Sequence, residues 1–322
     1  MSESDVAIII PCYNGWKYMS RCLESLEKQT VAPKQVIIVD DCSTDDSYIS
    51  LSAYSKESVL PILVIKNDTN SGPGKSRENA IKHVNTGYVA FCDCDDWYEE
   101  DFLQCVSDAL QKEKSTDLVI FDNYICSEDG EKRIAHTTTG LQQKSKQELL
   151  AQYPMSLCRL VCKTEIIRHI PFPALYHAED GVVATQIIAN SERIIILDRP
   201  LYNYLTRVGS ASTKPTPDAC RDFYTAYELI FRELEEWYPD EVEFIGIKFV
   251  CYGSVLNGFK SGVSAKEICI LLNCFEKTNP KWYDNRYMTS LPQTKRIYLY
   301  TVKNRLWALT KILTYIHTRM VG

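Results

Sequence analysis

The sequence predicts a doubly wound, mainly parallel α/β sheet followed by an all-helical C-terminal region. Two observations carry this. Up to about Phe121, short β-branched apolar runs alternate with amphipathic stretches of helical length, as in strands joined by helical crossovers. Beyond Thr213 the pattern turns purely helical, with Pro215 and Pro217 marking the change. The 322 residues leave room for about two domains. A boundary near Lys214 gives an α/β unit over 1–214 and a helical region over 215–322.

Element by element, the strands are Val6 to Ile10, Gln35 to Val39, Ile62 to Ile65, Tyr88 to Phe91 and Leu118 to Phe121. Their continuous apolar character predicts burial on both faces. Between them, Trp16 to Gln29, Asp46 to Lys56, Lys75 to Val84 and Glu99 to Lys112 read as helices long enough for parallel crossovers. Ser43 with Asp46 resembles a capping box opening the second of these. From Asp122 to Gln143 the chain is polar, a loop or hairpin beside the sheet. A strand at Ser156 to Cys162, a helix at Thr164 to His169, a helix after Glu179 and a strand at Arg193 to Leu197 complete the unit. At least three helices follow.

Composition narrows the class. A 45% hydrophobic and 24% charged chain is globular, not disordered. No run of about 18 apolar residues spans a bilayer, and the acidic start, Met1 to Asp5, has no signal-peptide pattern. A cytoplasmic location is expected. The 13 cysteines are scattered through apolar segments and read as small buried hydrophobes, without zinc-finger spacing. Net charge is -6, but unevenly spread. After Asp284 there is no acidic residue, while Arg286, Lys295, Arg296, Lys303, Arg305, Lys311 and Arg319 contribute +7, leaving -13 on the preceding part. No nucleic-acid partner is expected of that acidic body.

The carboxylates fall at strand ends. Asp40 and Asp41 follow one strand; Asp93, Asp95 and Asp96 follow another. Carboxyl ends of parallel strands share one edge, where ligands bind. Two unit charges about 4 Å apart repel by about 4 kcal/mol at an effective dielectric near 20, so five carboxylates there need a cation, a proton or a basic partner. On an extended segment Asp93 and Asp95 point to the same side, as two oxygen ligands for Mg²⁺ or Mn²⁺ would, which implies a phosphorylated substrate. The alternative is that strand-end aspartates cap helices or make Asx turns; it is preferred for Asp45 and Asp46. Asn70 to Arg77 is a Gly-rich loop suited to phosphate oxygens or a base. Its Gly-Lys-Ser ending lacks the Walker spacing, because position 69 is Thr69.

In this order the motifs resemble the family 2 inverting glycosyltransferases of GT-A fold, over about Val6 to Ser212. Ile8 to Asn14 is similar to the family's opening strand and donor loop, and Gln35 to Asp45 to its nucleobase-binding turn. Asn70 to Asn79 resembles its N-x-G-x-x-x-x-R-N loop, with Glu78 inserted. Phe91 to Trp97 resembles its D-x-D, and Glu179-Asp180 its catalytic E-D pair. The resemblance implies that Tyr13 stacks on the uracil of a UDP-sugar, that Asp41 takes its N3–H, and that Pro11 and Asn14 belong to the donor loop. It places Arg77 near the base or diphosphate, Asp93 by the ribose or sugar, and Asp95, with Asp93, at a Mg²⁺ or Mn²⁺ ion. Asp180, beside Glu179, is implied as the general base for a single inverting displacement. Pro200 to Ser212 resembles Y-x-Y-R-x-H-x-x-S-x-S, but Leu205 takes the arginine position and Arg207 that of the histidine, where it would pair with diphosphate oxygens. His177 is an acceptor-side candidate or a surface residue.

Val302, Leu306, Leu309, Leu313, Ile316 and Met320 form an apolar stripe beside basic residues, suited to an anionic membrane or to packing on protein. With the resemblance, this suggests a glycan or lipid-linked oligosaccharide acceptor of an envelope polysaccharide, met at the inner face of the membrane. A nucleotide-sugar nucleotidyltransferase and a non-catalytic interaction protein are the alternatives. The first lacks a Gly-rich triphosphate loop after its first strand, and the second would be expected to lose the carboxylates.

Overall fold

The computed structural model describes residues 3–207 and 216–321, the side chains of 318–321 excepted. The expected boundary at Lys214 and the motif residues Gly209 to Ser212 lie outside that range, as do the side chains of Arg319 and Met320. The chain forms two compact units, and the second also takes in Ser145–Tyr153 and Leu175–Ala178 from the stretch read as α/β.

The first unit is built on nine strands among the described residues: β1 (Glu3–Cys12), β2 (Ala32–Asp40), β3 (Ile62–Lys66), β4 (Tyr88–Phe91), β5 (Trp97–Tyr98), β6 (Leu118–Ser127), β7 (Lys132–Ile134), β8 (Leu160–Lys163) and β9 (Ile194–Thr206). Their order is β3-β2-β1-β4-β8-β6-β9-β5, with β7 added to β6 as a hairpin. β1 to β4 are parallel; β8 runs antiparallel between β4 and β6, β9 lies parallel to β6, and β5 closes on β9 antiparallel. The sheet is therefore mixed, with β5, β7 and β8 opposing the rest. Val6, Ile8, Ile10, Val36 and Ile38 are fully buried, as continuous apolar strands require.

The crossover helices α1 (Met19–Glu27), α2 (Ser47–Glu57), α3 (Gly72–Ile81) and α4 (Phe102–Lys112) follow the expected segments. Three expectations change. The Ser43–Asp46 capping box does not form: the Ser43 hydroxyl accepts the Asn14 N–H, and Asp45 accepts that of Ser47. An aspartate is one methylene shorter than the glutamate that closes such a box. A real box, Ser145 with Glu148, opens α5 (Lys146–Gln152), a helix that went unread. The strand expected from Ser156 begins at Leu160, after a 3₁₀ turn over Leu157–Arg159. Beyond it come α6 (Thr164–Ile167) and α7 (Glu179–Ala189).

The second unit is helical: α8 (Pro217–Leu234), α9 (Pro239–Gly246), a π-helical stretch Ile247–Ser254, α10 (Val255–Lys260), α11 (Ala265–Thr278), α12 (Gln293–Lys303) and α13 (Trp307–Val321). Thr216 caps α8 by accepting the Ala219 N–H, with Pro217 in the first turn. Pro239–Lys260 is long and apolar enough to cross a membrane by length and composition, but most of it is buried, as in a core helix. The basic end is two helices, not one: Arg305, with φ +53°, breaks the stripe between Val302 and Leu306.

Candidate active site

The loop after β1 and the turn after β2 are tied together by hydrogen bonds. Pro11 pairs with Val39 across β1 and β2, and the chain leaves β1 through Tyr13 and Asn14. Asn14 sits at φ +49°, and its side-chain oxygen accepts the N–H groups of Thr44 and Asp45 at 2.9 and 3.3 Å. Cys42, opposite, also lies in the left-handed region, at φ +60°. Strained non-glycine residues of this kind concentrate at functional sites. Gly15 lets this loop pack on the D-x-D turn, since a Cβ there would sit 2.7 Å from the Cys94 sulfur. Tyr13 is 47% exposed and so is not a core aromatic.

Asp41 is buried, and its carboxylate gathers three donors: Asn67 Nδ2 at 2.7 Å, Ser71 N at 3.1 Å and Gly72 N at 2.7 Å. It pins the Gly-rich loop where α3 begins. Asn67 was missed by the sequence reading; it bridges Asp41 to Ser76 and accepts from Asn79. Its position directly after β3 was the available signal.

One strand-end carboxylate, Asp93, does meet a cation, and it is Arg77. Arg77 is 2% exposed, inside a fan of carboxylates. Its Nη2 donates to Asp93 at 2.7 Å, and its Nη1 donates to Asp180 at 2.8 Å and to Glu179 at 3.4 Å. Gly74 permits this approach, because a Cβ there would lie 3.2 Å from both Glu179 Cγ and the Pro173 carbonyl. Burial and then Asp180 push Glu179 up to about 8, against the pull of Arg77. Burial also raises Asp180, with Arg77 and the Leu157 backbone opposing it. The Asp180 side chain keeps 25% of its surface exposed, against 10% for Glu179. Ala178, immediately before the pair, sits at φ +64°.

The D-x-D segment is a turn and not the extended strand expected: the Asp96 N–H closes onto the Asp93 carbonyl at 3.1 Å. Asp96 is buried, accepting from the Tyr202 hydroxyl at 2.5 Å and the Leu205 N–H at 2.7 Å. Burial, then Asp93 and Asp95, raise it well above the usual carboxylate range. Tyr202, the third residue of the quoted Pro200 to Ser212 segment, thereby anchors β9 under the turn, a role the sequence reading did not assign.

Among the described residues no three His, Cys, Asp or Glu side chains group as a metal cage. Asp93 is engaged by Arg77, and Asp95 is half-exposed on the turn. That donor set fits a Mg²⁺ or Mn²⁺ ion that takes most of its ligands from a diphosphate and water, not one held by the protein alone. Arg207 follows β9 directly and borders the undescribed residues. His177 lies in the second unit, where its N–H donates to Asp222 at 3.1 Å.

Comparison with known proteins agrees with this architecture. The profile described as glycosyl transferase family 2 matches residues 7–178. The poly(ribitol-phosphate) beta-N-acetylglucosaminyltransferase TarS of Staphylococcus aureus is 29% identical over 283 residues, 81% of this chain and 47% of that protein. The glycosyltransferase GlyA of Streptococcus pneumoniae is 26% identical over 276 residues, 81% of this chain and 39% of that one. The chain thus spans about half the length, or less, of these relatives. The crystal structure of S. aureus TarS 1-349 in complex with UDP-GlcNAc superposes with a TM-score of 0.71 at 23% identity, covering 99% of this chain and 92% of that one. At that identity the likeness shows the GT-A fold. A mannosyltransferase from Pyrobaculum calidifontis, solved with GDP-Man and Mn²⁺, gives a TM-score of 0.60 at 15% identity, covering 99% of this chain and 87% of that one.

Proposed function

The chain belongs to glycosyl transferase family 2, and from that premise we propose that it moves a sugar from a UDP-sugar to an acceptor hydroxyl with inversion at the anomeric carbon. UDP-GlcNAc is the first donor to test, because TarS has been solved with it. The proposed acceptor is a hydroxyl of an envelope polymer, a lipid-linked glycan or a polyol phosphate such as the poly(ribitol-phosphate) in the relative's name. We place the reaction in the cytoplasm, at the inner face of the membrane.

The observation that carries this reading is the unequal pair beside Arg77. A general base must be ionised near neutral pH and must reach solvent or substrate. Glu179, pushed to about 8 and nearly buried, is protonated there. Asp180 holds the shorter contact to Arg77 and the more exposed carboxylate, which suits it to take the proton of the acceptor hydroxyl. That oxygen then attacks the anomeric carbon on the face opposite UDP, in one displacement. On the donor side the exposed Tyr13 ring offers a stacking face for uracil, and Asp41, already holding the Gly-rich loop, has carboxylate capacity for its N3–H. When bound with the donor, a divalent cation at Asp95 would stabilise the charge of the leaving diphosphate.

The test is a turnover screen of UDP-GlcNAc, UDP-Glc, UDP-Gal and UDP-GalNAc with Mn²⁺, alongside Asp180→Asn. The expected result is UDP release from one of these donors, falling by about 10²–10⁴-fold in the variant while UDP still binds. No response to any UDP-sugar overturns the donor, and normal turnover in Asp180→Asn overturns the base.

A further inference from the structure

In the terminal helical hairpin the second helix turns threonines inward and an aliphatic stripe outward. Its two helices, α12 and α13, run antiparallel and meet through hydroxyls: Tyr298 with Thr314 at 3.0 Å, and Thr310 donating to Thr301 at 2.9 Å. Thr301, Thr310 and Thr314 are buried. On α12 Leu299 and Val302 are buried, but Leu306, Leu309, Ile312 and Ile316 are between 43% and 56% exposed. On α13, residues 309, 312 and 316 recur at spacings of three and four, so they form one stripe on the side away from the threonines. A water-facing helix is expected to do the reverse, so this face calls for an apolar partner.

The charge around the stripe says which partner. No acidic residue follows Asp284. The Lys295 ammonium lies 5.1 Å from the centre of the Tyr252 ring, and the His317 ring meets the same tyrosine edge-on at 6.3 Å. Burial, then Lys260 and Lys295, lower the His317 pKa, with no carboxylate opposing them. Lys311, on the α13 surface, lies 5.3 Å from the Phe259 ring centre. The hairpin thus combines an exposed aliphatic stripe with a surplus of positive charge, of which Arg305 is paired with Glu276 at 2.6 Å while α12 and α13 themselves carry no acidic residue.

We propose that α13 docks on an anionic lipid surface, with Leu309, Ile312 and Ile316 entering the acyl boundary and Lys295 and Lys311 meeting lipid phosphates. Each part matches an interfacial helix: a long apolar face, a basic flank and no acids. The inference is independent of the donor and acceptor, since it needs neither.

Flotation of the full chain with vesicles tests it. Recovery is expected with phosphatidylcholine vesicles containing a third of phosphatidylglycerol, little with phosphatidylcholine alone, and a decline with added salt. Leu309→Ser with Ile312→Ser is expected to cut the bound fraction by about tenfold or more at an unchanged melting temperature, the side chains being exposed. Lys295→Glu with Lys311→Glu is expected to abolish the preference for anionic vesicles. Equal flotation with neutral lipid, or flotation unaffected by both double variants, overturns the proposal. So does a dimer in light scattering without lipid that Leu309→Ser with Ile312→Ser dissociates, which would assign the face to a second copy of the chain.

Discussion

Replacing Arg77 by methionine, which nearly preserves volume and removes the charge, leaves Asp93, Glu179 and Asp180 facing one another with no cation. Breaking a buried pair from one side costs about 3–5 kcal/mol. At about 2–4 °C per kcal/mol for a domain of this size, the melting temperature should fall by about 6–20 °C. The loss has a pH signature. Without Arg77 the folded-state carboxylates bind protons more tightly still, so the folded form holds more protons than the unfolded one and its stability falls as pH rises. The gap between parent and variant should therefore be smaller at about pH 5 than at about pH 9. Transfer should change in the same sense, since Asp180 loses the charge that keeps it ionised and the acid limb of the rate profile moves to higher pH. Arg77→Lys should fall between the two, because one ammonium cannot fork to Asp93 and Asp180 together. Melts across pH and a pH–rate profile are the assays. A methionine variant that melts with the parent at every pH, or keeps the parent's acid limb, would refute the role given to this ion-pair fan.

Three further outcomes are expected. Tyr13→Ala should weaken UDP binding by about 1–3 kcal/mol in titration calorimetry without lowering the melting temperature, because the ring is exposed; an unchanged affinity would remove the stacking role. Asp41→Asn should destabilise the protein even without nucleotide, by about 1–3 kcal/mol, since an amide nitrogen would face the Ser71 or Gly72 N–H; a parent-like urea midpoint would show that the loop does not depend on it. Glu179, at about 8 when folded and about 4.3 when unfolded, contributes stability that is complete below the lower value and is lost as pH rises through the higher one. Glu179→Gln should flatten that decline, and stability profiles that stay parallel across this window would contradict the assignment.

Much of the fold was legible because its strands are apolar runs that no other element explains. Tyr88–Phe91 was read to the residue, and the first three strands to within a few. The failures have local causes. β9 runs past the expected end at Leu197, through Asp198, Arg199 and Pro200, to Thr206. The pairing with β6 shifts register beside Pro200, and a bulge is where a strand tolerates a proline. β8 is antiparallel, and no pattern within four residues encodes direction. The Ser145–Glu148 box was readable by the same rule misapplied at Ser43, and was passed over because the apolar run after it is short. On α13 the stripe was legible, but which side of it packs was not, because buried threonines look like solvent residues in a sequence.

The candidate site shows the same division between chemistry and partner. Five strand-end carboxylates need compensation, and four of them find it in the chain, each in its own way. Asp41 is neutralised by two backbone N–H groups and Asn67, Asp40 accepts the Ser43 N–H, and Asp96 is held by Tyr202 and Leu205. Asp93 is taken by Arg77, which lies 36 residues from Asp41 in the chain and carries no motif of its own beyond the R-N pattern. Asp40, Asp41, Asp93 and Asp96 thus each have partners within the chain. The proposed mechanism assigns a diphosphate-bound cation to Asp95 and the acceptor proton to the exposed edge of Asp180. Arg77 contacts Asp93 on one side and Asp180 on the other, so in that mechanism a change on the donor side that shifts Asp93 acts on the ionisation of the proposed base through a single guanidinium.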